Sequence, residues 1–451
     1  MPMLPLLASL ASLLFGAAVL IAGHGLLITL VPIRIGAAGF SSQIVALVAT
    51  GYYVGLLAGA WYGPALIRRV GRVRAFAGFA ALFSAATLGL PLLDHPMSWM
   101  ALRTLAGACA AGLFMTIESW LTSASPAHWR GRVLAAYMAT FYMALGGGQF
   151  LLRLGDPRGP ELFSIAAILL ALGLVPVALS GITAPPIERP RALSLLGLYR
   201  VSPLAVIGAF ATGIIVGSFY GLAPLFGRNL GLTAGDVGLL MAVAIYGGLV
   251  LQWPMGYLSD RFDRRSVIIG VAALLAAAAV AIAVLGDIQF VFLLGLIAVL
   301  GGAVFTLSPL CLAHAADFLG DGDDMVSLSS GLMILFSVGA VLGPLAAAEA
   351  FDLVAGRGLF LVIAGAAAAV SLYGLWRMTR RAPVGTEAQV GYVAVPRSTP
   401  AVAGLDPRAG GGEPEFDFAA TAPEATQDEE PTVIDAEFES LPPAQDRRED
   451  G

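Results

Sequence analysis

Residues 32–72 read PIRIGAAGFSSQIVALVATGYYVGLLAGAWYGPALIRRVGR, and residues 224–264 read PLFGRNLGLTAGDVGLLMAVAIYGGLVLQWPMGYLSDRFDR. The two stretches align without a gap at an offset of 192 residues (224 − 32). Ser41 in the first copy and Thr233 in the second stand where a helix N-cap is expected. A repeat of this length predicts that the chain contains two copies of one multi-helix unit. The identical pairs include Pro32/Pro224, Gly39/Gly231, Val45/Val237, Gly55/Gly247, Trp61/Trp253, Arg69/Arg261 and Arg72/Arg264.

The composition is that of a membrane protein. Apolar residues make up 58% of the 451 residues and charged residues only 12%. Runs of about 20 apolar residues can cross a bilayer as helices, whose backbone hydrogen bonds are satisfied internally. Barrel strands alternate apolar and polar residues, so continuous runs such as VAALLAAAAVAIAVL exclude them. Cys109 and Cys311 both fall in apolar spans, which excludes a disulfide framework. We therefore predict an all-α membrane protein.

Twelve membrane-spanning helices are predicted, near residues 8–33, 43–66, 75–93, 98–122, 132–153, 161–181, 202–226, 236–258, 266–286, 288–312, 326–349 and 358–377. The first is a retained helix, because its apolar run is too long for the core of a signal peptide. The gap-free repeat requires equivalent loops to lie on one side, and six helices per half satisfy this. The predicted domains are a first bundle at 1–183, a linker at 184–200, a second bundle at 201–378 and a disordered acidic tail at 379–451.

Arginine counts predict the orientation. The loops after helices 2, 4, 6 and 8, together with the start of the tail, hold fifteen arginines, and the opposite loops hold five. This excess predicts that both termini lie in the cytoplasm, and the expected location is the bacterial inner membrane, which the chain crosses several times. Residues from 401 onward contain 14 acidic residues and 3 arginines, which predicts a solvated tail.

The loop between the eighth and ninth predicted helices carries a family motif. It reads GYLSDRFDRR at residues 256–265. It resembles the G-x-x-x-D-R-x-G-R-R loop of the major facilitator superfamily, with Asp263 where the second glycine of that motif stands. Residues 118–138 and 217–226 look like the YcaD-like branch of bacterial permeases. The resemblance covers the chain up to about residue 378. It implies the major facilitator fold of two parallel six-helix repeats and secondary transport by alternating access, usually coupled to protons.

Charged residues at the helix ends are candidate gating groups. The carboxylate of Asp260 can accept hydrogen bonds from the N–H groups of another helix start, and the repeat places it beside Arg130 and Arg132. Arg68 replaces this acid in the first half, so the arginines there are expected to face the acidic run that begins at Asp321.

Glu118 is expected to pair with Arg130 or Arg132 near the end of the fourth helix. The arginines suit ion pairs between the halves or contact with lipid phosphate, and the alternative is that they only set topology. The complete gating set is Arg68, Arg69, Arg72, Glu118, Arg130, Arg132, Asp260, Arg261, Arg264, Arg265, Asp321, Asp323 and Asp324.

Charge at membrane depth marks a functional site by default. Arg103 begins the pattern Arg-x-x-x-Gly-x-x-x-Ala, which is similar to the helix-4 arginine motif of the superfamily and implies a role in coupling. The alternative is that its side chain reaches the membrane surface, since Trp99 marks that boundary. His24 is the second candidate for coupling, against the alternative of a neutral histidine hydrogen-bonded to backbone.

Polar and aromatic side chains within the spans are candidates for a solute cavity, although each could equally pack or bond between helices. Acidic residues are missing from the middle of the first-half helices, so the expected cavity is mostly apolar and suits an amphiphilic or weakly polar solute. The candidates are Tyr52, Tyr53, Tyr142, Gln149, Tyr220, Tyr246 and Gln252.

Two functions from different classes fit these features. The first is a secondary active transporter for a small organic solute, with export favoured by the apolar cavity. The second is a transport-dead membrane receptor or scaffold that acts through its acidic tail. An enzyme is not expected, because no metal-ligand cluster and no nucleophile-base pair stands out in the sequence. We expect no cofactor, no metal and no nucleic acid, and a monomer in contact with membrane lipid, protons and its solute.

Overall fold

The structure is a computed structural model that describes residues 3–178, 195–285, 289–319, 325–354, 356–380, 384, 385, 387 and 389–394. Within these ranges every regular element is a helix, and twelve helices contain 12 or more residues. Each of the twelve predicted spans overlaps one of them. They are α1 (Met3–Ala37), α2 (Ser42–Val70), α3 (Arg72–Gly89), α4 (Pro96–Ala124), α5 (Arg130–Gln149), α6 (Glu161–Leu172), α7 (Pro203–Asn229), α8 (Ala234–Arg261), α9 (Arg264–Val284), α10 (Phe290–Ala316), α11 (Met325–Leu353) and α12 (Gly358–Met378).

Nine of the helices in the described ranges are long and apolar enough to cross a membrane. The remaining three are α3, α5 and α6, which are shorter or carry more polar residues. The span predicted at 161–181 is interrupted at Gly173, where α6 gives way to a short helix at Leu174–Ala178. The span predicted at 132–153 ends in a 3-10 turn at Phe150–Leu154. The all-α membrane fold predicted from the sequence is confirmed.

The turns that enter α2 and α8 show the repeat in three dimensions. Gly39 has a φ of 81° and Gly231 a φ of 78°, in the left-handed region that favours glycine. The N-cap positions that follow are also superimposable in backbone, with φ −66° and ψ 161° at Ser41 and φ −65° and ψ 162° at Thr233. Only Thr233 makes the capping bond, by accepting from the N–H of Asp236 at 3.1 Å. The repeated sequence therefore encodes a repeated turn.

The pairing of helices repeats as well. α2 packs on α4 in the first half, and α8 packs on α10 in the second. A glycine at the same repeat position allows both approaches: a Cβ at Gly55 would collide with the carbonyl oxygen of Thr104, and one at Gly247 with that of Ala298. Likewise α1 packs on α5 and α6 as α7 packs on α11 and α12. The two halves thus share one internal arrangement.

The halves meet through two equivalent helix pairs, α2 with α11 and α5 with α8. We call the end of the bundle at which α1 begins and α12 ends the terminal face, and the other end the opposite face. Where α2 begins and α11 ends, the Ser42 hydroxyl donates to Asp352 Oδ1 at 2.7 Å. Deeper along the same pair, Thr50 donates to the carbonyl oxygen of Val341 at 3.1 Å. This contact therefore lies toward the opposite face.

The second pair, α5 with α8, is joined from the middle of the bundle toward the opposite face. Gln252 Nε2 donates to the hydroxyl of Tyr142 at 2.9 Å. The hydroxyl of Tyr246 donates to the carbonyl oxygen of Met143 at 3.4 Å, and the Tyr246 ring lies against Gly146. In this conformation the described hydrogen bonds between the halves lie away from the terminal face. Residues 184–194 of the predicted linker at 184–200 lie outside the described residues. The division of the chain into two domains at this linker therefore stays a prediction.

Candidate functional site

A cavity of about 30 Å³ lies between α1, α2, α4 and α7, where the two halves meet. Its wall is mostly aliphatic and aromatic, and one of the residues that line it is charged. In this conformation the cavity is much narrower than the small-molecule sites of about 300–1,000 Å³, so an organic solute requires it to widen as the halves move. The lining residues are Ile28, Val31, Pro32, Ile35, Val45, Val48, Ala49, Tyr52, Tyr53, Arg103, Tyr220 and Gly221.

Arg103 supplies the charge of this cavity. It lies seven residues into α4, about 10 Å along the helix at 1.5 Å per residue. Its side chain is only 5% exposed, and its guanidinium carbon lies 4.5 Å from the centroid of the Tyr52 ring. Trp99, the proposed boundary residue, is buried and donates its indole N–H to the carbonyl oxygen of Leu90 at 2.9 Å. The side chain of Arg103 is thus enclosed by the protein in this conformation, beside the cavity.

Tyr52 connects the two residues predicted to act in coupling. The hydroxyl of Tyr52 lies 3.2 Å from His24 Nε2, and the guanidinium of Arg103 lies over the ring of the same tyrosine. The hydrogen-bond partner of His24 is thus the side chain of Tyr52, whereas the alternative considered from the sequence was a bond to the backbone. The second ring nitrogen, His24 Nδ1, is buried without a hydrogen-bond partner. Arg103, Tyr52 and His24 form one cluster that joins α4, α2 and α1.

The predicted cavity residues divide into two groups. Tyr52, Tyr53 and Tyr220 line the cavity with Arg103. The others, Tyr142, Gln149, Tyr246 and Gln252, lie at helix contacts.

Gln149 illustrates the second group. It is fully buried and donates to the carbonyl oxygen of Gly25 at 2.8 Å, while it accepts from the hydroxyl of Thr29 at 2.5 Å. These bonds join α5 to α1. In this conformation Gln149 therefore makes hydrogen bonds between helices and does not line the cavity.

The loop between α8 and α9 is organised around Arg264. Arg264 is the first residue of α9 and is almost fully buried. One nitrogen, Nη1, donates to Asp317 Oδ1 at 2.6 Å and to the carbonyl oxygen of Ala313 at 2.9 Å. Nη2 donates to Asp260 Oδ1 at 3.1 Å, and Nε donates to the hydroxyl of Ser259 at 2.8 Å. The arginine therefore ties the ends of α8, α9 and α10 together at the terminal face.

Asp263 and Arg265 make a second contact in the same loop. Arg265 Nη2 lies 2.7 Å from Asp263 Oδ2, and the N–H of Arg265 donates to Asp263 Oδ1 at 3.0 Å, which caps α9. Burial alone would raise the pKa of Asp263, but the hydrogen bonds and charge of Arg265 outweigh it and lower this pKa below its ordinary value. An aspartate in place of the motif glycine thus acts as a helix cap.

A segment after α12 binds this loop. The carbonyl oxygen of Val390 accepts from Arg264 Nη2 at 2.7 Å, and its N–H donates to Asp317 Oδ1 at 2.9 Å. The N–H of Tyr392 donates to Asp260 Oδ1 at 2.8 Å, and the Tyr392 ring lies against Gly256.

The prediction of a disordered acidic tail at 379–451 is wrong for residues 389–394, which are bound to this loop. The physical reason is composition: this stretch reads QVGYVA and is apolar, whereas the acidic residues are concentrated beyond residue 401. From residue 395 onward the predicted tail lies outside the described residues.

The structure separates the residues that were predicted to form the gate at the terminal face. Asp260 contacts Arg264 and Tyr392, so the predicted contact with Arg130 and Arg132 at the start of α5 is absent from this conformation. The reason is that the described hydrogen bonds between the halves lie toward the opposite face. Arg261 is exposed, with its guanidinium carbon 4.2 Å from the centroid of the Tyr257 ring.

Glu118 is fully buried and accepts from the hydroxyl of Tyr137 on α5 at 3.1 Å, and its pairing with Arg130 or Arg132 stays a prediction. Arg68 and Arg69 are exposed at the end of α2, and Arg72 begins α3. Their expected partners Asp321, Asp323 and Asp324 lie outside the described residues.

Some partners in these clusters were missed by sequence reasoning. Asp317 is the buried partner of Arg264, yet it stands in an acidic loop without a motif of its own. Its position directly after α10 was the available signal, because a cation is favoured at a helix C-terminus. Nothing in the sequence around Thr29 indicated that it would be the hydrogen-bond partner of Gln149.

Comparison with known proteins places the chain among transporters. The sequence profile of the Major Facilitator Superfamily matches residues 13–233 and 205–403. The chain is 31% identical over 362 residues to proteins of Salmonella newport and Salmonella typhimurium named "Uncharacterized MFS-type transporter YcaD". These alignments cover 78% of this chain and 91% of each relative.

Solved structures show the same fold. The nucleoside transporter NupG matches with a TM-score of 0.64 at 12% identity, over 83% of this chain and 99% of that one. A bacterial homologue of the iron transporter ferroportin in an inward-facing state matches with 0.64 at 15% identity, over 82% and 98%. A bacterial homologue of the lysosomal transporter Spinster in an inward-facing, occupied conformation matches with 0.63 at 15% identity, over 84% and 97%. At such identities the likeness concerns the fold alone.

Proposed function

Because the chain belongs to the major facilitator superfamily and is a membrane transporter rather than an enzyme, we propose that it moves a small organic solute by alternating access, coupled to protons and in the direction of export. The terminal face lies on the cytoplasmic side of the bacterial inner membrane, as the excess of arginines on that side indicates. The protein works as a monomer, with its terminal-face arginines near lipid phosphate.

The observation that carries the proposal is the position of the cavity. Its wall combines α1, α2 and α4 of the first half with α7 of the second half. A site shared by the halves changes its access when the halves rock against each other. The wall is mostly apolar, which favours an amphiphilic solute and supports export.

The contacts that must open are also identifiable. In this conformation Ser42 and Gln43 of α2 bind Asp352 at the end of α11. We propose that these bonds break when the opposite face opens. The terminal-face residues Asp260, Arg130 and Arg132 then come together in the alternative state, which is the gating role proposed for them. Arg103, His24 and Tyr52 serve coupling.

The test uses the purified full chain in liposomes that contain a pH-sensitive dye. A panel of amphiphilic organic solutes should drive proton movement above the level of protein-free liposomes. The pair Ser42→Cys and Asp352→Cys should form a disulfide on oxidation and stop this movement, with recovery on reduction. Ser42→Cys alone is the matched control and should keep the wild-type rate under oxidation. A crosslinked protein that moves protons at the wild-type rate would exclude alternating access about this contact, and a panel without any response would exclude proton-coupled transport of this solute class.

A further inference from the structure

The guanidinium of Arg103 is buried without a negative partner. Its Nε and Nη1 nitrogens are buried and make no hydrogen bond. In the part of the chain that the structure describes, no ion pair includes Arg103. The pairs there are Arg34–Asp94, Asp260–Arg264, Arg264–Asp317 and Asp263–Arg265. A cation at membrane depth without a counter-charge is costly, so its persistence in this position calls for a negative group that the chain itself does not supply there.

The surroundings of Arg103 hold the cation but leave its hydrogen-bond donors available. The Tyr52 ring lies 4.5 Å from the guanidinium carbon and attracts the cation with its face. A ring face cannot replace an oxygen acceptor for the N–H groups. His24 is connected to this arginine through the hydroxyl of Tyr52, and its Nδ1 has no partner. The cluster therefore contains two buried polar groups with unused hydrogen-bonding capacity.

The remaining wall of the cavity is apolar and suits an apolar body once the cavity widens. Arg103 is the one charged residue among those that line it, and aromatic rings of Tyr53 and Tyr220 and the aliphatic side chains of α1 and α2 form the remaining wall. One cation balances one negative charge. A carboxylate matches the planar guanidinium donors better than a neutral oxygen does.

We propose that this cavity binds an organic monoanion, with its carboxylate on Arg103 and its apolar body against Tyr52, Tyr53 and Tyr220. The proposal names the substrate class of the transport site proposed above, and it rests on that function only for the step from binding to transport. Arg103 then binds the solute directly, in addition to its proposed role in coupling.

Binding to the purified full chain in detergent tests the proposal without any assumption about transport. The probes are 4-phenylbutyrate, its neutral amide, the sulfonate of the same chain length and the dianion phenylsuccinate, and binding is measured by calorimetry and by thermal shift. We expect 4-phenylbutyrate to bind about 10- to 100-fold more tightly than the amide, the ratio that charge-assisted hydrogen bonds supply. The sulfonate distinguishes a preference for carboxylate from a preference for any monoanion. Equal affinity for acid and amide would overturn the proposal.

Variants assign the preference to Arg103. Arg103→Gln should remove the difference between acid and amide, and Arg103→Lys should retain only part of it, because the planar fork is lost. Arg158→Gln removes an exposed arginine and is the matched control, which should bind as wild type does. Without ligand, Arg103→Gln should melt no lower than wild type, since an unpaired buried cation is removed. If Arg103→Gln still binds the acid more tightly than the amide, Arg103 is not the source of the preference. If that variant fails to fold, the comparison of acid with amide on the wild-type protein still tests the anion site.

The outcomes separate this inference from the proposed function. Selective binding of the acid without solute-driven proton movement supports the anion site and contradicts proton-coupled transport. Proton movement driven equally by acid and amide supports transport and contradicts the anion site.

Discussion

Replacement of Arg264 by alanine should destabilise the protein more than replacement of any neighbouring arginine in its loop. Its pair with Asp260 involves a carboxylate that is 42% exposed, and such pairs contribute about 0–1 kcal/mol. Its pair with Asp317 is different, because both side chains are only 1% exposed. Removal of one partner from a buried pair costs about 3–5 kcal/mol, since the remaining charge stays buried.

The assay is thermal unfolding of the purified full chain in detergent. With a shift of about 2–4 °C per kcal/mol, as found for soluble domains of 150–250 residues, the midpoint of Arg264→Ala should fall by about 10 °C. Arg261→Ala is the matched control, because Arg261 is exposed and only contacts the Tyr257 ring. Its midpoint should remain within about 2 °C of wild type. The double variant Arg264→Met with Asp317→Leu should recover most of the loss, since apolar replacement of a whole buried pair is often neutral. An Arg264→Ala midpoint equal to that of the control, or a double variant no better than the single one, would refute the reasoning.

Two further predictions concern the same loop. A chain truncated after residue 383 should melt below wild type, because it loses the bonds of Val390 and Tyr392 to Arg264, Asp317 and Asp260. A chain truncated after residue 400 keeps this segment and should melt as wild type does; equal melting of the two truncations would contradict a stabilising contact. Asp263→Asn should lower the midpoint at neutral pH, because the lowered pKa of Asp263 means that its ionised form stabilises the folded state. That difference from wild type should be complete above the ordinary carboxyl pKa of about 3.9 and disappear as the pH falls through the lowered value; a difference that persists after full protonation would show that the charge is not its source.

The apolar runs and the repeat allowed the twelve helices to be predicted, because helix length and turn chemistry depend on local sequence, whereas the pairing of the helices was seen only in the structure. Gly39 and Gly231 mark equivalent turns, and Gly55 and Gly247 mark equivalent helix contacts. The partners of polar side chains were less accessible. Gln149 was a reasonable cavity candidate, yet it faces α1, since the rotation of a helix about its own axis depends on packing over its whole length.

The tail required a similar correction. Net charge described residues beyond 401, but the six residues at 389–394 contain few charges and bind the loop between α8 and α9. This position also changes how the scaffold alternative is tested. A deletion after residue 385 would remove the bound segment together with the acidic part, so any loss of transport could follow from destabilisation. A deletion after residue 400 removes the acidic part alone, and a transporter should then keep its solute-driven proton movement.

The distribution of charge gives the two ends of the protein different tasks. Asp260, Asp263 and Asp317 are all satisfied by Arg264 and Arg265 at the terminal face, where the strong polar bonds hold three helix ends together. At the cavity the situation is reversed, because Arg103 faces rings and aliphatic carbon atoms. A fully paired site in the cavity would leave a charged solute nothing to bind. The site that the chain leaves incomplete is thus the one where an anionic solute gains most from binding, and a solute without charge gains only apolar contact.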